Sequence, residues 1–173
     1  MLTLDLPHHS TSYRYGGLAF FLAVAVILAA LGFEHLGGYA PCPLCLMQRY
    51  AYYAGIPLLF VAMALVAEMP RLAAFIFLAV ALAFLANAGL GVYHAGVEWK
   101  FWPGPDTCGT AQALPTSSTD LLSGLAQAHV VRCDAPAWTL AGLSMAAWNA
   151  IASLAIAVLA LKAALLAAAA RTD

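Results

Sequence analysis

The fold is decided between residues 17 and 45, where the chain reads GLAFFLAVAVILAALGFEHLGGYAPCPLC. The first twenty of these residues are almost wholly apolar, and about 20 apolar residues are what a helix needs to cross a bilayer. A short turn follows, and then Cys42 and Cys45 with two residues between them, the spacing of a redox dithiol. The stretch therefore predicts a membrane span that ends beside a thiol pair.

The whole chain has the composition of an integral membrane protein. Of its 173 residues, 64% are hydrophobic and only 9% are charged, against roughly 25% charged residues in soluble domains. We predict an all-α membrane protein in which residues 1–173 form one integral membrane domain. The net charge of −1 and the lack of a basic run argue against a nucleic-acid partner. The lipid bilayer is the partner that the composition implies.

Apolar stretches predict four transmembrane helices, which favours a four-helix bundle because short connections make neighbouring helices antiparallel. The spans are expected at about residues 17–36, 46–67, 72–94 and 143–161.

Two loops, at about residues 37–45 and 95–142, then lie on the same side of the membrane and carry all four cysteines. The second loop holds Cys108 and Cys133. It also contains an apolar pattern after Asp120 that predicts a short helix, either lying in the membrane interface or packed on its own loop.

The positive charges predict the orientation. Arg14, Arg71, Lys162 and Arg171 fall on the side of the termini, whereas the first loop on the other side has no Lys or Arg. The positive-inside rule therefore places both termini in the cytoplasm. The cysteine loops then face outward, which in a bacterium is the oxidising periplasm, where disulfides persist.

Two dithiol pairs on one side of a membrane protein suit electron transfer between them, because thiolate attack on a neighbouring disulfide is the transfer step. The loop pair could instead be a static disulfide closing about 25 residues, and four thiolates could together bind one zinc ion. The oxidising compartment favours the redox interpretation, and we expect no metal site. We expect the positive end of the second helix to point at the Cys45 sulfur, and Cys42 to be more open to a partner.

Arg49 is the most informative residue outside the cysteines. It lies four residues after Cys45, one helical turn deeper on the same face. A guanidinium there needs an anionic or strongly polar partner, or must snorkel to the head groups. We interpret it as stabilising the Cys45 thiolate or a reduced electron acceptor. By position alone, Glu34 and His94 are typical boundary residues and Met145 a packing residue.

The chain resembles the disulfide bond formation protein B (DsbB) family over nearly its whole length. The resemblance rests on motifs in a fixed order: Cys42-Pro-Leu-Cys45, Leu46-Met-Gln-Arg49, Tyr93-His94, Thr107-Cys108, Arg132-Cys133-Asp134 and Trp138-Thr-Leu-Ala-Gly-Leu-Ser-Met145. It implies a bacterial inner-membrane enzyme, a protein-disulfide oxidoreductase with quinone as electron acceptor. Such an enzyme re-oxidises a periplasmic DsbA-like oxidase of thioredoxin fold and reduces ubiquinone or menaquinone, which supports disulfide bond formation.

The resemblance also implies roles for single residues. Cys42 and Cys45 would be the quinone-linked pair, and Cys108 and Cys133 the pair that meets the partner protein. The quinone-binding residues carried over are Arg49, His94 and Met145.

Two other interpretations remain open at this point. A vitamin K epoxide reductase-like protein is also a four-helix membrane dithiol enzyme, but there the loop cysteines precede the Cys-x-x-Cys, whereas here they follow it. The other alternative is a non-enzymatic membrane scaffold with two structural disulfides. Inert disulfides would resist limiting reductant, while catalytic pairs would be reduced readily.

Overall fold

The computed structural model describes residues 6–105 and 132–170, with side chains from Ser10 onward. The predicted loop helix after Asp120 and the predicted site residue Cys108 lie outside the described residues. The described part is mostly helical, as predicted, with four helices and one small hairpin. In chain order these are α1 (Leu6–His35), α2 (Pro43–Leu65), α3 (Pro70–Glu98), β1 (Thr139–Leu140), β2 (Leu143–Ser144) and α4 (Met145–Ala169).

Local sequence signals set the helix starts. Pro43 and Pro70 occupy the first turns of α2 and α3, where a missing N–H costs no hydrogen bond. Ser144 caps α4 by accepting a hydrogen bond from the Ala147 N–H at 3.3 Å. At the other end of the bundle, the Ser12 hydroxyl donates to the Ala163 carbonyl at 2.8 Å. This bond ties the N-terminal part of α1, which extends beyond the predicted span, to α4.

Three helices are long and apolar enough to cross a membrane: α1 from Ser10, α3 and α4. We attribute the lower hydropathy of α2 to Gln48, Arg49 and the tyrosines of its first half, so the second predicted span stays a prediction. Large apolar side chains are exposed on all four helices, as a lipid-facing surface requires; they include Phe21, Leu28, Phe60, Phe75, Leu82 and Ile151.

The closest helix packing joins α3 to α4. The buried face of α4 is mostly alanine, and small residues allow helix backbones to approach closely in membranes. At Gly91 of α3, an added Cβ would lie 3.0 Å from the backbone of Ala150. The two helices therefore form a tight unit that leaves little room for larger side chains.

The hairpin before α4 was missed by the all-α prediction. Strands β1 and β2 are antiparallel, and the two residues between them, Ala141 and Gly142, have positive φ values of 53° and 81°. Two positive φ angles are typical of a type I′ turn, whose twist suits a tight hairpin. The Trp148 indole N–H donates to the Leu140 carbonyl at 3.1 Å and ties the hairpin to α4.

Candidate functional site: a thiol pair between a cavity and a polar cluster

Cys42 and Cys45 lie together at the start of α2. Their sulfurs are 2.8 Å apart, and neither is part of a disulfide. Because α2 begins at Pro43, Cys42 is the N-cap, and its sulfur accepts a hydrogen bond from the Cys45 backbone N–H at 3.2 Å. The helix N-terminus thus contacts the sulfur of Cys42, and the expectation that it would point at Cys45 was wrong.

Cys42 is not open to solvent, contrary to the sequence-based expectation. It is 4% exposed and belongs to a buried cluster with Leu44 and Cys133, which we call the cysteine cluster. Cys133 is 1% exposed and disulfide-bonded. The segment that carries Cys133 covers Cys42, so a cysteine of the second loop lies beside the first pair.

His94 of α3 contacts both cysteines of this cluster. Its Nε2 lies 3.6 Å from the Cys42 sulfur, and its ring interacts with the backbone of Cys133. The two sulfurs of the first pair and a ring nitrogen of His94 all lie within 4.8 Å of one another. The pKa of the Cys42 thiol is lowered to about 5, chiefly by its hydrogen bond with the Cys45 side chain. Burial opposes this shift, and His94 adds to it.

A run of hydrogen bonds, which we call the polar chain, fixes the ring of His94. The Tyr52 hydroxyl donates to Asn149 Oδ1 at 2.6 Å, and Asn149 Nδ2 donates to Gln48 Oε1 at 2.5 Å. Gln48 Nε2 then lies 2.9 Å from His94 Nδ1. Because an amide nitrogen only donates, Nδ1 accepts, and the neutral ring carries its proton on Nε2, toward Cys42.

A cavity of about 280 Å³ lies on the other side of the thiol pair, between α1, α2 and α4. Cys45, Arg49 and Met145 line it, so three of the predicted site residues meet there. His94 is not among the lining residues, but it contacts Gln48 and lies close to Cys45, which both line the cavity. Apolar and aromatic side chains form most of the wall, among them Ile27, Phe33, Ala137, Trp138, Trp148 and Ala152.

Arg49 has an anionic partner, as expected for a guanidinium one helical turn inside α2. Its Nη1 donates to the Glu34 carboxylate of α1, and Glu34 also lines the cavity. By position alone Glu34 is typical of a boundary residue, and no spacing along the chain links it to Arg49. Within the described part of the chain, Arg49 Nε is buried and has no hydrogen-bond partner. This N–H remains available for an acceptor from outside the chain.

Glu98 is a second carboxyl that the sequence analysis missed. Its side chain is 6% exposed, although its backbone at the end of α3 is more accessible, and Oε1 lies 3.9 Å from His94 Nε2. The available signal was the spacing of four residues from His94, which puts both side chains on one helix face. The carboxyl group therefore belongs to the surroundings of Cys42.

A charged cluster flanks Cys133 at the surface. Arg132 makes a two-pronged contact with Asp134 at 2.8 Å, and the Lys100 ammonium lies 2.6 Å from the same carboxylate. Hydrogen bonds from Arg132 and then from Lys100 hold the pKa of Asp134 well below its usual range. Because Lys100 lies two residues after the end of α3, this cluster ties the segment of Cys133 to the end of that helix.

The fold and the site define a helical membrane protein with a buried thiol pair beside an apolar cavity, and similarity to known proteins gives the family. The family model of disulfide bond formation protein DsbB matches residues 13–163. The chain therefore belongs to the DsbB family: it is a multi-pass membrane protein of disulfide bond formation, and the family implies disulfide oxidoreductase activity. Membership favours this interpretation over the vitamin K epoxide reductase-like alternative.

Three relatives have the name disulfide bond formation protein B. The one from Methylococcus capsulatus is 33% identical over 152 residues, 84% of this chain and 87% of that protein. The one from Azoarcus sp. is 36% identical over 152 residues, 83% and 87% of the two chains. The one from Aromatoleum aromaticum is 31% identical over 163 residues, 87% and 93% of the two chains. No solved structure gives a significant match.

Proposed function

We propose that this protein is an inner-membrane thiol:quinone oxidoreductase that re-oxidises a periplasmic DsbA-like oxidase of thioredoxin fold. Electrons would pass from the partner to the loop pair, then to Cys42 and Cys45, and finally to ubiquinone or menaquinone. The termini would be cytoplasmic and both cysteine loops periplasmic. In this topology α2 also spans the membrane, as the second of four spans, and its polar side chains bond to residues of α1, α3 and α4.

The observation that carries this proposal is the position of Cys45 in the wall of the cavity, one turn from Arg49. The residues present fit a quinone ring: the walls are apolar and aromatic, and the buried Arg49 Nε lacks an acceptor that a ring carbonyl oxygen could supply. A bound quinone would accept two electrons and two protons. Arg49 would bind and orient it through a charge-assisted hydrogen bond, Glu34 would hold Arg49 in place, and Met145 would contact the ring.

The buried contact between Cys42 and Cys133 supports the order of the thiol steps. The partner's thiolate would attack the disulfide between Cys108 and Cys133 at Cys108, which leaves Cys133 as the thiolate. Cys133 would then attack the sulfur of Cys42 in the disulfide between Cys42 and Cys45, and Cys45 would leave as a thiolate at the cavity. The partner's second cysteine would then attack the bond between its first cysteine and Cys108, which would release the oxidised partner and leave Cys108 as a thiolate. Attack by Cys108 on the bond between Cys133 and Cys42 would restore the loop disulfide and leave the first pair reduced.

His94 has a different role in this proposal from the one that the resemblance implied. Its Nε2–H points at Cys42, and Gln48 holds its other nitrogen. It would therefore stabilise the thiolate form of Cys42 and act on a bound quinone only indirectly. Arg49 and Met145 remain the residues proposed to touch the quinone.

The decisive experiment mixes the purified full-length protein with a reduced thioredoxin-fold oxidase and with ubiquinone or menaquinone in turn. We expect quinol to form in proportion to the disulfide made in the oxidase. Disulfide formation in the oxidase without quinol would contradict the proposed acceptor. Resistance of all four cysteines to limiting reductant would instead support the scaffold interpretation.

A further inference from the structure

Glu98 is a buried acid that the proposed electron path does not use. Its side chain is 6% exposed, and its Oε2 has no hydrogen-bond partner among the described residues. Its carboxyl group interacts with the hydroxyl of Ser144, the cap of α4, and Oε1 lies 3.9 Å from His94 Nε2. The same ring nitrogen is 3.6 Å from the Cys42 sulfur. One N–H of His94 thus lies between a thiol and a carboxyl group.

No Lys or Arg within the described part of the chain is paired with Glu98. The groups that surround it are Cys42 and Cys45 from the start of α2, His94 from its own helix, and Ser144 from the start of α4. Lys100 is two residues away, but its ammonium is bound to Asp134 at the surface. The charge state of Glu98 must therefore be balanced within this small group of side chains.

The reduced thiol pair places a negative charge in this group. The Cys42 sulfur accepts a hydrogen bond from the Cys45 backbone N–H and is hydrogen-bonded to the Cys45 sulfur, which favours the thiolate form of Cys42. With the Gln48 amide oriented as in the structure, His94 Nδ1 accepts a hydrogen bond from Gln48 Nε2, an arrangement that favours the neutral ring. A thiolate and a carboxylate around one neutral imidazole would be two uncompensated buried anions, which is strongly unfavourable at low dielectric. One proton must therefore reside on the carboxyl group.

We propose that Glu98 is the proton-holding site of the first thiol pair: its carboxyl group is protonated while Cys42 and Cys45 are reduced, and ionised once they form a disulfide. In the oxidised state the thiolate is gone, so the carboxylate keeps its contact with the Ser144 hydroxyl and no longer has a second buried anion beside it. This inference rests on the redox role proposed for Cys42 and Cys45 but not on the identity of the electron acceptor.

Electrons and protons balance in this scheme. The reduced site holds a thiolate at Cys42, a thiol at Cys45 and a carboxylic acid at Glu98. Formation of the sulfur–sulfur bond releases two electrons, one proton from Cys45 and one proton from Glu98. An acceptor that needs two protons with its two electrons, as a quinone would, could draw the second proton from Glu98.

The test is redox-difference infrared spectroscopy on the full-length protein in lipid, reduced with a small dithiol and reoxidised without quinone. We expect a carboxylic acid C=O band that appears on reduction and disappears on oxidation. Glu98→Gln should remove this band, and Glu98→Asp should retain a shifted one. The matched controls are Glu68→Gln, at an exposed position in the α2–α3 turn, and Glu34→Gln, at the cavity. Both should leave the band unchanged.

A second measurement covers the case in which Glu98→Gln does not fold. Isotopic labelling of glutamate in the unaltered chain should shift the band, and the chain has only three glutamates, two of which the controls remove in turn. The absence of a redox-linked carboxyl band, or its persistence in Glu98→Gln, would overturn the proposal. Because no quinone is present, this result is independent of whether quinol forms in the turnover assay.

Discussion

Cys42 and Cys45 are three residues apart, yet they lie in different surroundings. Cys45 borders an apolar cavity together with Arg49 and Met145. Cys42 lies behind it in the cysteine cluster, in contact with His94 and close to Cys133. The difference indicates that a single helix start can present one sulfur to a lipid-phase ligand and the other to a second thiol pair. The two surroundings should respond separately to substitution.

The largest expected effects distinguish the two cysteine pairs of the electron path. Cys45→Ser should lower quinone reduction by at least about a thousandfold with any donor, because residues that act as a unit fail together. Cys108→Ser should block turnover with the protein partner but leave reduction by dithiothreitol intact. Parallel quinone-reduction assays with both donors check this. If folded Cys108→Ser protein lost quinone reduction equally with the partner and with dithiothreitol, the two cysteine pairs would not act in sequence.

The next effect concerns the cavity side alone. Arg49→Lys keeps the charge but loses the planar fork, so we expect the apparent KM for quinone to rise roughly tenfold, the size of one weakened charge-assisted hydrogen bond. Excess quinone should still oxidise the cysteines. Glu34→Gln, which leaves the guanidinium in place, should have a smaller effect in the same direction. Steady-state kinetics against quinone concentration measure the KM of both variants. An unchanged KM in Arg49→Lys would contradict a role in quinone binding and leave only the interpretation that Arg49 snorkels to the head groups.

A third prediction concerns the polar side and its pH dependence. Since the pKa of Cys42 is lowered from its ordinary value of 9.0 to about 5, thiolate absorbance of the reduced protein should stay constant near neutrality and fall as the pH drops through 5. The ionised form stabilises the reduced fold, so this contribution is complete above pH 9 and is lost below pH 5. Cys45→Ala should raise the Cys42 pKa more than His94→Ala, because the Cys45 hydrogen bond is the larger cause. The reverse order would contradict the geometry of the thiol pair.

The smallest effect on activity should come from the packing of α3 against α4, which positions His94. This packing is measured here through stability. Gly91→Ala places a methyl group 3.0 Å from the Ala150 backbone, and overpacking costs about 1–3 kcal/mol, partly offset by a gain of about 1 kcal/mol in helix propensity. Gly89→Ala, two residues away with no atom within 4 Å of the added Cβ, is the matched control and should be neutral or stabilising. Unfolding in mixed detergent measures the difference. Equal stability of the two variants would show that α3 and α4 can separate without cost.

Much of the fold was predictable from the sequence, because long apolar runs have few alternatives in a membrane. The helices α1, α3 and α4 follow directly from such runs. The hairpin did not, since its turn uses Ala141, a residue with no preference for positive φ, before Gly142. The start of α2 at Pro43 was visible as a proline in a first helical turn. The second span was nevertheless predicted to begin at residue 46, because it was placed by hydropathy.

The site was predictable only where its residues share one helix. Cys45 and Arg49 are one turn apart, so their common position at the cavity follows from spacing. The contacts of Arg49 with Glu34 and of Gln48 with Asn149 join different helices, and no sequence period encodes them. Glu98 was detectable from its spacing to His94, but a single acid at the end of a span is usually a boundary residue. Burial, which distinguishes the two cases, is a tertiary property.

The polar first half of α2 bears on how the chain enters the membrane. Gln48 and Arg49 would make this segment a poor substrate for insertion by itself, since unpaired polar groups in hydrocarbon are costly. Their partners are supplied by Glu34, which is synthesised earlier, and by Asn149, which is synthesised about a hundred residues later. We therefore expect α2 to be held by the insertion machinery or at the lipid surface until α4 emerges. Biogenesis of the whole bundle would then depend on its last helix.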